Sequence, residues 1–152
     1  MRRLKTAQAI SLAISIFLAV FIFANSAQPA DESADMSGGL LLFINDIFAY
    51  CGIDVILSHH VLRKCAHFIE FFAVGVSLMV TTATFTKRLR RHIIKPVLIS
   101  LAIAAIDETI QLFPPGRSAQ ASDVALDFTG AVCGIMFSWL VIYLINKKAV
   151  SR

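Results

Sequence analysis

The sequence predicts an all-α protein, a polytopic membrane helical bundle with four transmembrane helices and an outer interfacial helix. Hydrophobic residues make up 57% of the 152 residues. The mean hydropathy is +0.75, well above that of a soluble globular domain. The apolar residues form separate runs, four of which reach the ~17–25 helical residues that a bilayer core requires.

The predicted transmembrane helices cover about residues 7–24, 65–84, 96–113 and 124–145. Pro96 suits the first turn of the third helix, where its missing N–H costs nothing. The sequence Pro114-Pro115-Gly116 is expected to end that helix. Because there is no repeat, low-complexity segment or interdomain linker, residues 1–152 are predicted to form a single transmembrane domain.

The predicted outer loop, residues 25–63, contains an apolar stretch over residues 40–57. Asn45, Asp46 and Asp54 interrupt this stretch and would be costly at the centre of a bilayer. We therefore predict a helix that lies on the outer membrane surface.

The first apolar run has two interpretations. Basic residues precede it and Ala24-Asn25-Ser26 is a small-residue site, as in a cleaved signal peptide. Its length favours an uncleaved signal anchor, and the rest of the chain is itself a membrane bundle.

The charge distribution is typical of membrane topology. Although the formal net charge is +4, the bases lie in short clusters between apolar runs, so we expect the bilayer and no nucleic acid as a partner. Four crossings place both termini and the basic cluster at 87–95 in the cytoplasm. All ten acids then fall on the outer half: Asp31, Glu32, Asp35, Asp46, Asp54, Glu70, Asp107, Glu108, Asp123 and Asp127.

The three cysteines, Cys51, Cys65 and Cys133, have no metal-ligand spacing and are odd in number. The sequence therefore implies no disulfide framework. A Cys51–Cys65 bridge on an oxidising side stays an open alternative.

Three predicted helices carry polar groups near their outer ends. They are Lys64, His67 and Glu70 on the second helix, Asp107, Glu108 and Gln111 on the third, and Asp123 and Asp127 on the fourth. The spacing of three residues puts the first set on one helix face. In the other two sets, Gln111 lies one turn beyond both acids of the third helix, and Asp123 and Asp127 are one turn apart. At ~1.5 Å rise per residue, each group lies within roughly 10 Å of the outer end of its helix. Ionisable groups at this depth are expected to face one another or a wet cavity.

Each of these residues also has a purely structural interpretation. Lys64 and Arg117 could be interfacial anchors, His67 a structural histidine, and Asp123 or Ser122 a helix N-cap. The pair Gly130-x-x-x-Gly134 predicts close helix packing. Taken together, however, so many embedded charges on one side favour a functional site.

The same residues resemble motifs of the VanZ-like family, which is named for a protein associated with teicoplanin resistance. The matching pieces are Arg63-Lys64-x-x-His67-x-x-Glu70, Asp107-Glu108-x-x-Gln111, Pro115-Gly116-Arg117-Ser118, Asp123, Gly130-x-x-x-Gly134, and Asn25-Ser26-Ala27-Gln28-Pro29 with Ser33 and Ser37. The similarity covers nearly the whole chain. The family commonly has Asn near the position of Asp127.

The resemblance implies a bacterial envelope protein of the cytoplasmic membrane. Our leading hypothesis is that it engages a cell-wall-related or lipid-linked ligand at the outer face, with a link to glycopeptide tolerance. The ligand-binding candidates are Lys64, Gln111, Arg117, Ser118 and Asp127. Lys and Arg suit a phosphate or carboxylate.

Two alternatives stay open, namely an intramembrane enzyme acting on a lipid-linked phosphate and a structural scaffold subunit. The candidate catalytic residues are His67, Glu70, Asp107, Glu108 and Asp123, since a His with carboxylates can supply a general acid and base. No known nucleophile, zincin or phosphate-loop motif occurs, so whether the chain is an enzyme is open. His67-x-x-Glu70 alone is a weak metal signal. We therefore assign no metal ligand and leave the cofactor and a homo-oligomer open.

Overall fold

The computed structural model describes the backbone of residues 2–150 and the side chains of residues 4–148. Its regular structure is helical throughout, which confirms the all-α prediction. The helices are α1 (Arg2–Ser26), α2 (Ala30–Tyr50), α3 (His59–Phe85), α4 (Leu89–His92), α5 (Ile94–Ile110) and α6 (Ala121–Val150).

Within the described residues, three helices are long and apolar enough to cross a membrane. The segments are Leu4–Ser26, His59–Phe85 and Ala121–Lys148. The fourth predicted crossing corresponds to α5, whose 17 residues lie at the lower end of the ~17–25 that a bilayer core requires. Three crossings are therefore supported by length and composition, and the fourth stays a prediction.

The helices begin and end at other residues than the apolar runs suggested. α3 begins at His59 rather than 65, because Ser58 caps it by accepting a hydrogen bond from the Val61 N–H. α6 begins at Ala121, so Ser122 and Asp123 lie inside its first turn and neither is its N-cap. An apolar run covers only the part of a helix that suits a bilayer, and the helix extends past that run through polar turns.

The predicted outer loop, residues 25–63, is mostly helix, which corrects its description as a loop. α2 begins at Ala30, ten residues before the apolar stretch that we predicted as an interfacial helix. The Asn45 side chain accepts from the Leu57 N–H at 2.8 Å and donates to the Leu57 carbonyl at 3.3 Å. This contact folds the segment after α2 back onto the helix. Leu41 is the one buried residue of α2, so the helix lies against the bundle rather than within it.

The structure shows no Cys51–Cys65 bridge. Cys51, Cys65 and Cys133 are free and exposed. The open alternative of a disulfide is thus not supported.

α3 forms the centre of the bundle and packs against α1, α5 and α6. The buried apolar cluster takes residues from all four helices: Ile22, Phe71, Val74, Leu78, Ala104 and Ala131. These side chains repeat at helical spacing on α3, as expected for a helix that buries one broad face. The core therefore fixes the helices whose ends carry the polar residues.

Glycines let α3 and α6 approach closely, as the Gly130-x-x-x-Gly134 pattern predicted. A Cβ built on Gly130 would lie 2.6 Å from the Phe68 carbonyl oxygen, and one on Gly134 would overlap the Phe72 carbonyl oxygen. A Cβ on Gly75, from the facing side, would overlap the Ala131 carbonyl. Backbone lies against backbone here, so the contact cannot relax by a side-chain rotation.

Replacing Gly134 with alanine is expected to destabilise the protein by ~1–3 kcal/mol, because the helices must move apart. Gly38→Ala is the matched control, since a Cβ on Gly38 meets nothing within 4 Å. The measurement is the melting temperature of each purified variant in detergent. An unchanged melting temperature for Gly134→Ala would show that α3 and α6 are not packed this closely at Gly134.

Antiparallel pairing of α1 and α3 defines two ends of the bundle. Near one end the Gln8 amide donates to the Thr84 carbonyl at 3.0 Å, and near the other Asn25 donates to Glu70 at 3.1 Å. The basic segment after α3, residues 87–91, forms a surface cavity with Trp139, Tyr143 and Asn146 in the second half of α6. The bases of this segment and the buried acids therefore lie at opposite ends.

Candidate functional site

The polar site lies where α1 and α5 end and α3 and α6 begin. His67 on α3, Asp107 on α5 and Asp127 on α6 form its centre, and we call these residues the inner triad. His67 Nδ1 is 3.5 Å from Asp127 Oδ1 and 3.8 Å from Asp107 Oδ2. Both aspartates have 0% exposure. Three helices thus bring an imidazole and two buried carboxylates together at one end of the bundle.

Gln111, directly after α5, connects the inner triad to the next group. Its amide nitrogen donates to Asp107 Oδ2 at 3.0 Å, and its oxygen accepts from Arg63 Nη2 at 2.9 Å. A side-chain amide can do both because it carries a donor and an acceptor. Gln111 therefore links Asp107 to the Arg63 guanidinium through its two side-chain hydrogen bonds.

Lys64 and Asp123 form an ion pair beside the triad, with 2.7 Å between Nζ and Oδ1. The lysine side chain is 34% exposed and the aspartate 14%. Water reaches this pair, so the attraction is screened.

Lys64→Met is expected to change stability by less than ~1 kcal/mol, because partly exposed pairs contribute little. Chemical unfolding of the purified variant measures this. A loss of several kcal/mol would mean that Asp123 is more deeply desolvated than its exposure indicates.

Glu108 points away from the inner triad although it follows Asp107 in the chain. Its Oε1 accepts from the Gln120 N–H at 2.6 Å. Its Oε2 is buried without a hydrogen-bond partner among the described residues. Glu108 thus fixes the end of the segment at 111–120, which carries Arg117.

Arg117 reaches back to α1. Its Nη2 donates to the Asn25 carbonyl at 3.0 Å, and its Nε is buried without a partner in the described part of the chain. Gly116 precedes it with a φ of +73°, a backbone conformation that favours glycine. Burial lowers the pKa of the Arg117 guanidinium, and the positive charge of Arg63 lowers it further.

Two cavities adjoin these groups. A cavity of ≈ 10 Å³ is lined by His67, Gln111 and Asp127, among others, which is room for about one water-sized occupant. A cavity of ≈ 290 Å³, which we call the α2–α3 cavity, lies between α2 and the first turns of α3. Its polar lining includes Asn25, Arg63, His67, Glu70 and Arg117. His67 therefore lines both cavities.

A family model, VanZ/LLP1, matches residues 11–143. This range holds every residue of the site described above. The chain belongs to the VanZ/LLP1 family. No curated protein and no solved structure shows significant similarity to it.

Membership of the VanZ/LLP1 family confirms the resemblance seen in the motifs. The structure then places the predicted site residues in distinct positions. His67, Asp107, Asp127 and Gln111 lie together, and Lys64 and Asp123 flank them. Glu70 and Arg117 line the α2–α3 cavity, whereas Glu108 contacts the loop. Ser118 is exposed and makes no hydrogen bond within the residues described, and its binding role stays a prediction.

Two residues of this VanZ/LLP1 site were not assigned a role from the sequence. Arg63 lies four residues before His67, a spacing that puts both on one face of α3. Asn25 stands at the end of the first apolar run, and its side chain donates to Glu70. Arg63 and Asn25 both belong to the sequence motifs, but only the structure shows that they line the same cavity.

Proposed function

We propose that this VanZ/LLP1 protein binds the anionic headgroup of a lipid-linked or cell-wall-related molecule at the non-cytoplasmic membrane face. The α2–α3 cavity is the binding site. One observation carries the proposal: Arg63 and Arg117 both line this cavity. Among the described residues, neither has a carboxylate within 4.0 Å.

The two guanidinium groups have neutral partners and unused donors. Arg63 donates to the Gln111 amide oxygen and Arg117 to the Asn25 carbonyl. Each guanidinium carries five N–H donors, and the Arg117 Nε has no partner among the described atoms. An anion in the cavity would offset the repulsion between the two cations and accept charge-assisted hydrogen bonds.

The other wall of the cavity suits a lipid. Met36 and Leu40 of α2 line it and are 74% and 54% exposed. Arginines facing apolar side chains match a molecule with a charged head and a hydrocarbon tail. The volume of ≈ 290 Å³ is near the lower limit of small-molecule sites. It therefore suits a headgroup rather than a whole glycolipid.

The proposal includes a topology with four crossings, α5 among them, and both termini in the cytoplasm. The chain would reside in the bacterial cytoplasmic membrane with α2 at the outer interface. We also propose that α1 stays attached as a signal anchor, because Asn25 contributes to the site and Ile22 to the core. The opposite placement of the 87–91 bases and the acids supports this orientation.

Accessibility of single cysteines tests the topology. In intact cells, a membrane-impermeant maleimide is expected to label the native, exposed Cys51 and to leave a Lys87→Cys variant unlabelled. The Lys87→Cys chain also carries serine at its three native cysteines, and permeabilised cells are the control for its reactivity. Labelling of the Lys87→Cys variant in intact cells would show that the orientation is the opposite of the proposed one.

Binding in lipid nanodiscs tests the function. Purified protein is expected to retain a polyprenyl-pyrophosphate-linked sugar and to release the matching polyprenol, which lacks the charged head. Equal retention of the two lipids would contradict an anion site. In cells, deletion of the chain is expected to lower teicoplanin tolerance, measured as the inhibitory concentration.

An enzymatic role has one supporting observation, since His67 lies between two carboxylates and lines the cavity. This arrangement suits proton transfer to or from a bound molecule. Mass spectrometry of the retained lipid decides between the two roles. An altered lipid would show an enzyme, and an intact one a binding protein.

A further inference from the structure

We propose that His67, Asp107 and Asp127 bind a divalent metal cation between α3, α5 and α6. The inference goes beyond headgroup binding and does not depend on it, because it concerns the inner triad rather than the arginines. Each residue offers one ligand atom, and these atoms lie within 4.8 Å of one another.

The distances within the triad are close to those of a metal site. Two ligand atoms ~2.0–2.2 Å from one ion lie roughly 3–3.5 Å apart in tetrahedral or octahedral geometry. His67 Nδ1 is 3.5 Å from Asp127 Oδ1 and 3.8 Å from Asp107 Oδ2. All three ligand atoms lie within 4.8 Å of one another, so binding of one ion requires the side chains to move closer together.

The buried carboxylates have unused oxygens, which is independent support. Asp107 Oδ1 and both oxygens of Asp127 are buried without a hydrogen-bond partner among the described residues. Both side chains are fully buried, where a carboxylate oxygen without a hydrogen-bond partner is costly. A cation at this point supplies the missing partner.

The neighbouring bases are already engaged. Lys64 pairs with Asp123 at 2.7 Å, and Arg63 donates to Gln111. His67 alone faces the two buried aspartates, and a protonated imidazole would offset only one of their charges. A divalent cation would offset both.

The surroundings suit a small ion. A cavity of ≈ 10 Å³ adjoins His67 and Asp127, enough for about one water-sized occupant. The Gln111 amide donates to Asp107 Oδ2 at 3.0 Å, as outer groups do when they orient a metal-binding carboxylate. One imidazole nitrogen with two carboxylate oxygens is a mixed donor set that suits Mn²⁺ or Zn²⁺.

The test uses the full chain in nanodiscs of zwitterionic lipid, so that anionic lipids do not bind the ion. After removal of metals with a chelator, Mn²⁺ is titrated and the free ion is measured by electron paramagnetic resonance. Zn²⁺ is measured in parallel by competition with a chromophoric chelator. We expect saturable binding of about one ion per chain, with a rise in melting temperature.

Variants identify the site. His67→Gln and Asp127→Asn are each expected to weaken binding at least ~100-fold, more than loss of an outer-shell group usually costs. The double variant Lys95→Gln/Asp35→Asn removes one exposed charge of each sign away from the triad and its small cavity without changing the net charge, and its affinity should be little changed. If Asp127→Asn fails to fold, His67→Gln carries the comparison, because it removes a neutral ligand.

Two results would overturn the proposal. One is the absence of stoichiometric binding of both ions to the wild-type chain. The other is an equal loss of binding in the double variant and in His67→Gln, which would show attraction to surface charge. Neither measurement involves the lipid probe, so failure here is distinguishable from failure of headgroup binding.

Discussion

Replacing Arg117 with glutamine is expected to weaken binding of the polyprenyl-pyrophosphate probe by about 10- to 100-fold. A hydrogen bond to a charged group contributes ~1.5–3 kcal/mol, and ~1.4 kcal/mol corresponds to a tenfold change in affinity. Arg117 donates through Nη2 to Asn25 while its Nε has no partner among the described atoms. Removing this guanidinium takes one of the two cations from the α2–α3 cavity.

The controls for Arg117 separate charge from shape and from stability. Arg117→Lys should retain part of the affinity, because lysine keeps the charge without the planar fork. Arg90→Gln, in the basic segment at the opposite end, should bind as the wild type does. The affinities are measured in nanodiscs, with membrane abundance compared for each variant. Loss of abundance in parallel with binding would favour the scaffold hypothesis over headgroup binding.

Replacing Glu108 with alanine is expected to lower the free energy of unfolding by ~1.5–3 kcal/mol, the usual contribution of a hydrogen bond to a charged group. The donor is the Gln120 N–H, which lies 2.6 Å from Glu108 Oε1. Because this contact fixes the segment that carries Arg117, probe affinity should also fall, although Glu108 does not line the α2–α3 cavity.

Glu108→Gln tests whether the acceptor or the charge matters. Glutamine keeps a carbonyl oxygen for Gln120, so most of the stability should return. Glu32→Ala is the control for loss of a carboxylate, since Glu32 is exposed on α2. Unfolding is measured in detergent, and limited proteolysis of residues 111–120 reports the order of the loop. An ordered loop in Glu108→Ala would show that other contacts hold it.

Much of the fold could be predicted because it depends on local sequence. Long apolar runs indicated α1, α3 and α6, and the pattern Gly130-x-x-x-Gly134 indicated close packing, which the Phe72 carbonyl beside Gly134 confirms. α2 was misplaced because its first half, from Ala30, carries acids and glycines that hid a helix from an apolarity criterion.

The sequence predicted which residues belong to the candidate site but not which of them contact one another. Helical spacing grouped Lys64, His67 and Glu70 on α3, yet in the structure Lys64 pairs with Asp123 and Glu70 accepts from Asn25. Spacing shows which residues share a helix face. It cannot show which neighbouring helix each of them meets.

By itself, then, the sequence determined that apolar helices deliver buried acids and a histidine to one end of the bundle. This follows from hydrophobicity and from the helical repeat, which are local properties. Only the tertiary structure decided that Asp107 joins His67 and Asp127 whereas the adjacent Glu108 contacts the loop. Successive side chains point about 100° apart around a helix of ~3.6 residues per turn. Two neighbouring carboxylates can therefore take different roles once α3 and α6 pack against α5.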